Sequence, residues 1–300
     1  MARLVFLGTP EAAVEPLRTL VQAGHDVALV VSRADKRRGR GSALVPSPVK
    51  AAATALGLEV TDTLDDALAV GAELGVVVAY GRIVPVAVLD RLPMVNLHFS
   101  LLPRWRGAAP VERAILEGDA ETGVCLMAVE AGLDTGAVYA VEATAIGHEE
   151  TADELRSRLV AIGCRLLEVH LAGGRAGLPT PRDQAGNPSY ADKVAAHEHE
   201  LDWSADAVQL RRVVRLGRAW TTFRGRRLRV LASGPSAGPS ADAGAVVSPP
   251  APGELRGTEV GAGGGTSLVL RTVQPEGKRP MDADAWLHGI HPGADDRLGA

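Results

Sequence analysis

The sequence predicts an α/β fold, a parallel sheet flanked by helices, followed by a smaller unit built as a β-barrel. Three observations carry that expectation. Apolar runs at residues 3–8, 27–31 and 74–79 alternate with helix-like stretches at 11–23 and 48–56, the order that builds parallel strands joined by right-handed crossovers. Beyond residue 203 the pattern changes to an arginine-rich helix, then short strands at 228–231 and 267–270 with glycine turns, which suits a small barrel. The length of 300 residues fits two domains, and 46% hydrophobic composition is ample for two cores. Aromatics make up only 3%, so those cores must be built from Val, Leu and Ala.

In chain order, residues 3–8 read as a buried strand and Gly24 ends the helix that follows. The turn Gly8-Thr9-Pro10 lacks the G-x-G-x-x-G fingerprint of dinucleotide binding, so Gly8 reads as a tight strand-to-helix turn. The connection from 33 to 48 is long for a strand-to-helix loop, and Gly39-Arg40-Gly41 makes its centre flexible and basic. A short strand is expected near 58–61. Val78-Ala79-Tyr80-Gly81 then leaves a strand and opens a helix, with Tyr80 readable as a core ring whose hydroxyl reaches the rim. Further helices are expected at 112–116, after the Pro110 turn, and at about 152–172. Thr151 and Glu154 have capping-box spacing for the second, and Gly173-Gly174 breaks it. His197-Glu198-His199-Glu200 resembles a metal cluster but has no further ligand at suitable spacing; it reads as a solvated turn, and no metal is expected. The stretch 232–253, rich in Ala, Ser, Gly and Pro, reads as a long, poorly ordered loop.

Cys125 and Cys164 cannot staple a chain of this size and suit buried thiols in a reducing compartment. With no basic leader and no long apolar span, the expectation is a soluble cytoplasmic protein with no membrane contact. Net charge is -4, yet the cations are clustered. One cluster is Lys36-Arg37-Arg38-Gly39-Arg40. In the other, between 203 and 231, Arg211, Arg212, Arg215, Arg218, Arg224, Arg226, Arg227 and Arg229 face the single acid Asp206. Two such runs in an otherwise acidic chain point to a polyanion surface.

The chemistry concentrates at residues 95–110. Val95, Leu97 and Phe99 alternate with Asn96, His98 and Ser100, so in a strand an amide, an imidazole and a hydroxyl share one face at roughly 6.6 Å spacing. Pro103 and Gly107 force a loop, leaving that row at a sheet's rim, where α/β folds bind ligands. Taken alone, the row also fits an edge strand that is polar on one face. Downstream, Gly132-Leu133-Asp134-Thr135-Gly136 follows the apolar run 123–129 and sets one carboxylate between two glycines, which permit unusual backbone angles. An amide, an imidazole and a carboxylate together suit attack by a neutral amine on a carbonyl.

Asn96-Leu97-His98, Ser100-Leu101-Leu102-Pro103 and Gly132-Leu133-Asp134-Thr135-Gly136 resemble the folate-dependent formyltransferases. Pro103-Arg104-Trp105-Arg106-Gly107-Ala108-Ala109-Pro110 is similar to the branch that acts on methionyl-tRNA. Resemblance extends through residues 4–10, Pro46-Ser47-Pro48-Val49-Lys50 and Val78-Ala79-Tyr80-Gly81 to Gln274-Pro275-Glu276-Gly277-Lys278, nearly the whole chain. It implies a Rossmann-like catalytic domain over 1–200 and an OB-like tRNA-binding domain over 201–300. It implies 10-formyltetrahydrofolate as co-substrate and initiator methionyl-tRNA as acceptor, handled by a monomer. Asn96, His98 and Asp134 would be catalytic: the first two stabilise the oxyanion, and Asp134 holds His98 and assists proton removal. Tyr80, Gly81, Ser100, Leu101, Leu102, Pro103, Gly132 and Leu133 would line the folate site. Lys36, Arg37, Arg38 and Arg40 would reach the acceptor arm, and Arg211, Arg212 and Arg215 would bind tRNA. Two departures stand out. Phe99 replaces a common Gly, and Leu216-Gly217-Arg218-Ala219-Trp220 replaces an Asn-Pro-Trp-Pro segment.

The rival within the same chemistry is a formyltransferase for a sugar-nucleotide amine or a small ribonucleotide amine. A tRNA-binding module with a decayed site is disfavoured by the intact Asn96, His98 and Asp134. A nicotinamide dehydrogenase is disfavoured by the missing glycine fingerprint.

Overall fold

The computed structural model describes residues 1–37, 44–236 and 248–300, with Lys36 as backbone alone. The described chain forms two compact units: one of Met1–Arg113, Ala120–Ile146 and Glu154–Lys193, the other of Ala114–Asp119, Gly147–Asp153 and Val194–Ala300.

The first unit carries β1 (Arg3–Gly8), α1 (Val14–Gln22), β2 (Asp26–Val31), β3 (Lys36–Arg37), β4 (Leu44–Val45), α2 (Pro48–Ala55), β5 (Val60–Thr61), β6 (Leu74–Val78), α3 (Val86–Leu89), β7 (Met94–His98) and β8 (Arg106–Gly107). Then come α4 (Pro110–Glu117), β9 (Glu121–Ala128), β10 (Val138–Ala145), α5 (Ala152–Leu171) and β11 (Tyr190–Ala191); α4 and α5 each run partly into the second unit. A seven-stranded sheet has the order β10-β9-β7-β6-β1-β2-β5. Strand order runs outward from β1 in both directions, the Rossmann-like arrangement. β1 is buried from Leu4 to Gly8, as a central strand covered on both faces must be. Val5, Leu7, Leu29, Val31 and Val77 form one core layer, with Tyr80 packed into it.

The sheet is not wholly parallel. β7 pairs parallel with β6 and antiparallel with β9, and the edge strand β10, unread in the sequence, is antiparallel again. Its half-exposed alternation, Val-Tyr-Ala-Val-Glu-Ala-Thr-Ala, is the edge-strand pattern. Gly8 behaves as expected: a Cβ there would lie 2.8 Å from the Phe6 ring and 2.9 Å from Ala13 Cβ, so the turn needs the missing side chain. The basic connection starts and ends as a hairpin, Lys36 opposite Val45 and Arg37 opposite Leu44. At its base the Ser32 and Ser47 hydroxyls are 2.6 Å apart, and Lys50 pairs with Asp35 at 2.8 Å.

The second unit contains α6 (Ala207–Arg215), β12 (Trp220–Phe223), β13 (Arg226–Pro235), β14 (Leu255–Arg256), β15 (Glu259–Ala262), β16 (Thr266–Pro275), β17 (Met281–Asp282) and α7 (Ala283–Ile290). Asp206 caps α6, its carboxylate accepting the Gln209 N–H at 2.8 Å. The antiparallel sheet has the order β12-β13-β16-β15-β14, with β17 on β16. Leu228, Val230, Leu268, Leu270 and Trp286 build its core. The loop expected over 232–253 is shorter, because β13 continues to Pro235 in register with β16 as far as Leu268. Small residues hid that strand: Ala232, Ser233 and Gly234 carry no apolar alternation.

Candidate active site

β7 stops at His98 because a tight turn follows. The Ser100 hydroxyl donates to the Arg104 carbonyl at 2.5 Å, and the Arg104 N–H donates to the Leu101 carbonyl at 3.0 Å. This turn returns Trp105 across the strand end with φ +62, a left-handed angle that a bulky residue adopts only under constraint. The constraint is visible. The Trp105 N–H donates to Ser189 Oγ at 3.0 Å, and the Trp105 carbonyl lies 2.8 Å from His98 Nε2. A carbonyl only accepts, so Nε2 carries the imidazole proton and Nδ1 presents its lone pair. Asp134 Oδ2 sits 3.5 Å from Nδ1, ion-pair distance rather than a hydrogen bond.

Asp134 itself adopts the left-handed conformation, φ +50. The loop was expected to hold this residue at an unusual angle, and it does, although neither Gly132 nor Gly136 is itself at positive φ. Gly136 is needed for space, because a Cβ there would fall 2.0 Å from the Ala128 carbonyl oxygen. Asp134 Oδ2 also accepts the Gly107 N–H at 2.8 Å, and Gly107 has φ +120 with its Cα close against Ala191. Pairing of β8 with β11, Arg106 opposite Tyr190 and Gly107 opposite Ala191, fixes that segment.

Electrostatics follow from burial. His98 is 5% exposed, and burial holds its imidazole below the ordinary value, opposed by the Asp134 charge and the Trp105 carbonyl. Opposite His98 on β9, burial pushes the Cys125 thiol up to about 11, so it stays neutral. The Asn96 amide, part-buried, has no side-chain hydrogen bond among the described residues.

These groups open onto a cavity of about 740 Å³ at the C-terminal ends of β1, β6 and β7, the position where open α/β sheets bind ligands. Its wall includes Pro10, Tyr80, Gly81, Asn96, His98, Phe99, Met127, Gly132, Leu133 and Asp134. Of the five described non-glycine residues at positive φ, Ala79 and Asp134 line it and Trp105 holds His98 beside it, and such strain clusters at working sites. Ser100, Leu101, Leu102 and Pro103 do not line the cavity. Alternation ends at His98, so Ser100 turns inward, fully buried, and ties the turn instead. Phe99, expected on the opposite face, lies on the cavity wall for the same reason and is 8% exposed.

A formyl transferase family model matches residues 2–168, and a formyl transferase C-terminal domain model matches 193–291. Methionyl-tRNA formyltransferase of Dinoroseobacter shibae is 44% identical, covering 96% of this chain and 97% of that protein. The chain belongs to the methionyl-tRNA formyltransferase family. The enzymes of that name from Dechloromonas aromatica and Heliobacterium modesticaldum are 43% and 40% identical, over 97% and 99% of this chain and 96% and 100% of theirs. Among solved structures, an N-formyltransferase from Helicobacter canadensis in complex with folinic acid and dTDP-3-aminofucose superposes with a TM-score of 0.67 at 18% identity, covering 92% of this chain and all of that one. Methionyl-tRNA formyltransferase from Clostridium thermocellum gives 0.58 at 15%, over 82% and 96% of the two chains. At those identities the likeness shows the fold.

Within this methionyl-tRNA formyltransferase family member, the expected tRNA contacts fare unevenly. Arg38 and Arg40 lie outside the described residues, and Arg37 is exposed. Arg211, Arg212 and Arg215 are engaged inside the second unit. Arg211 pairs with Glu149, Arg212 donates to the Leu116 carbonyl at 3.4 Å, and Arg215 donates to the Glu150 and Gly147 carbonyls at 2.7 and 2.9 Å. The exposed cations sit elsewhere: Arg227 and Arg229 share the outer face of β12 and β13 with Trp220, and Arg227 stacks on Trp220 at 4.2 Å. With Gln274, Pro275, Glu276 and Gly277 they line a groove of about 230 Å³.

Sequence reasoning passed over the return segment that carries Gln184, Ser189 and Ala191, all of which brace the site. Two-residue strands between prolines and glycines have no periodicity to read.

Proposed function

We propose that this chain transfers the formyl group of 10-formyltetrahydrofolate to the α-amino group of initiator methionyl-tRNA, with Asn96, His98 and Asp134 carrying the reaction. Relatives of that name at 40–44% identity over nearly the full chain support the substrate pair. The residue roles rest chiefly on one observation, the commitment of His98 Nε2 to the Trp105 carbonyl.

The cavity fits a flat heterocycle. Val77, Val84, Phe99, Met127 and Val129 give it apolar walls, main-chain groups at 79–82 border it, and the buried Tyr80 hydroxyl has no partner among the described residues. Tyr80, Gly81, Gly132 and Leu133 would hold the folate; Ser100 to Pro103 support it only through the turn that carries Trp105. Bound there, the folate supplies a formyl carbon attached to nitrogen.

An α-amino group titrates at about 7.7–8.0, so roughly a tenth of it is neutral near pH 7, a fraction sufficient to attack. Asn96, with its amide uncommitted, donates to the formyl oxygen as charge develops. With Nε2 protonated and the ring's affinity for a second proton lowered by burial, His98 Nδ1 takes the proton from the attacking amine. Asp134 then faces an imidazolium, which its carboxylate stabilises. The same proton returns from Nδ1 to the departing nitrogen as the old carbon–nitrogen bond breaks. His98 therefore serves as base and then acid; the acid role was expected beside oxyanion stabilisation, and the base role is added to it.

The domains divide as 1–200 for catalysis and 201–300 for tRNA. We read the second unit's sheet as OB-like: β13 has register shifts between Val230 and Ala232 and between Ala232 and Ser233, the irregularities by which a sheet curls. Trp220, Arg227 and Arg229 offer stacking and charge to an RNA strand, a better-exposed set than the α6 arginines. Lys36 and Arg37, with Arg38 and Arg40, serve the acceptor end. Action as a monomer in the cytoplasm belongs to the same reading; no described helix is long and apolar enough to cross a membrane.

The test is a formylation assay comparing methionyl-tRNA, free methionine and an amino-sugar nucleotide. The reading requires methionyl-tRNA to be strongly preferred; preference for the sugar nucleotide overturns it.

A further inference from the structure

Gln184 touches neither the cavity nor His98, yet it holds the residue that faces His98. Its Nε2 donates to the main-chain carbonyls of Asp134 at 2.8 Å and Gly136 at 2.9 Å. Its Oε1 accepts from Arg106 Nε at 3.1 Å and Nη2 at 2.6 Å. A primary amide has two donor hydrogens and two acceptor lone pairs, and all four are used. The partners leave no ambiguity about the amide's orientation, since carbonyls only accept and a guanidinium only donates.

Two of these bonds, together with the one from the Gly107 N–H to Asp134, close a ring. From the Asp134 carbonyl the path runs through Gln184 to Arg106, along the chain to the Gly107 N–H, and back to Asp134 Oδ2. Asp134 is thus gripped at both ends, main chain by Gln184 and side chain by Gly107. That grip matters because Asp134 sits at φ +50, where a non-glycine residue stays only if its surroundings insist. Gln184 has a firm footing: Arg182 exchanges N–H and carbonyl bonds with Val138 at 2.8 and 2.9 Å on one side, and Ser189 to Ala191 pair with β8 on the other.

We propose that Gln184 is a positioning residue for formyl transfer, one that keeps the Asp134 carboxylate against His98 Nδ1 by fixing the turn from behind while anchoring Arg106. The proposal rests on the assignment of His98 and Asp134 to the reaction. Loss of the donors at Asp134 and Gly136 lets the turn relax toward negative φ and withdraws Oδ2. The imidazolium is then left without its nearest opposite charge. Other groups near the ring do not substitute: Cys125 across the strand is neutral, Asn96 is uncharged, and Arg106 and Glu130 sit on the cavity wall with opposite signs.

The experiment uses the full chain with Gln184→Leu and Gln184→Glu. Leucine keeps the bulk and removes every hydrogen bond. Glutamate keeps the acceptor for Arg106 but sets a carboxylate oxygen against two carbonyls. His98 is followed by NMR titration, identified by comparison with His98→Ala, beside kcat and KM for both substrates and thermal stability. Both variants should lower the His98 pKa by about one unit, as expected when an opposite charge moves out of reach. Both should lower kcat on the order of tenfold to a hundredfold with KM unchanged, the pattern of misplaced chemistry rather than weakened binding. An unchanged His98 titration in Gln184→Leu overturns the proposal, as does normal kcat in Gln184→Glu, which would leave only the tie to Arg106 of consequence. A merely structural role would lower thermal stability and move neither. If His98→Ala kept turnover, the catalytic assignment would fall by itself, while the titration would still decide whether Gln184 sets Asp134 against the ring.

Discussion

The two ends of this chain handle charge in opposite ways. Around His98 the groups that orient the ring and its carboxylate are fixed by main-chain partners, and three residues nearby sit at positive φ. On the outer face of β12 and β13, Arg227 and Trp220 stand exposed or half-exposed, with stacking as their mutual tie. Preorganised groups suit a reaction in which a proton moves a few ångströms. Loose cations suit an RNA backbone whose phosphates must be met wherever they lie. Geometry should therefore dominate mutational effects at the first place and ionic strength at the second.

The largest expected effect is at the first. His98→Ala and Asp134→Asn should each reduce kcat on the order of 10²–10³, the usual loss for one preorganised group. They should differ in pH dependence. In Asp134→Asn the imidazole remains but loses the neighbour that favours its charged form, so its pKa, already lowered by burial, falls further and the acid limb of activity moves to lower pH. His98→Ala should erase that limb. A His98→Ala protein with near-normal turnover would break the comparison at its stronger end.

Next comes the exposed face. Replacing Trp220, Arg227 and Arg229 together by Ala should weaken tRNA binding and flatten its salt dependence, by ~0.7–0.9 in log K per log salt for each phosphate no longer neutralised. Single-turnover formylation at saturating tRNA should stay near normal. Filter binding across a salt series reads the slope; an unchanged slope would remove this face from the interface.

How much of this was legible beforehand depends on the kind of signal. β1, β2 and β6 are apolar runs long enough to show, and Asn96, His98 and Asp134 carry the family's motifs in plain sequence. The brace behind them is invisible because Gln184, Ser189 and Trp105 act through main-chain carbonyls and two-residue strands, which leave no periodicity. Arginine counts say little for a related reason. Composition finds eight cations between 203 and 231 but cannot tell the half-buried α6 set from the exposed Arg227 and Arg229, the second of which also donates to the Gly217 carbonyl and to Gln274.

A smaller effect is expected at Phe99, which belongs to both core and cavity wall. Phe99→Gly should lower thermal stability and change the folate KM modestly while leaving the KM for methionyl-tRNA alone. Lower stability with an unchanged folate KM would make the ring core filling only.

The smallest effect on binding should come from Arg215, which sharpens the contrast between tied and exposed arginines. Its guanidinium is half-buried and donates to the carbonyls of Glu150 and Gly147, and both burial and its neighbours Arg211 and Arg212 lower its pKa. Even so, an arginine stays charged at any working pH. Arg215→Gln removes that charge and at least one of the two hydrogen bonds, leaving a partly covered carbonyl short of a donor. Such a loss costs about 1 kcal/mol where solvent can partly compensate. In a protein of this size that is a fall of roughly 2 °C in melting temperature. If Arg215 met a phosphate instead, the salt slope would drop by the ~0.7–0.9 of one neutralised phosphate. Thermal melts and salt-series binding on the same protein separate the two. A lower melting temperature with an unchanged slope marks Arg215 as a strut. An unchanged melting temperature with a lower slope would return α6 to the RNA surface and dissolve the distinction between the two sets of arginines.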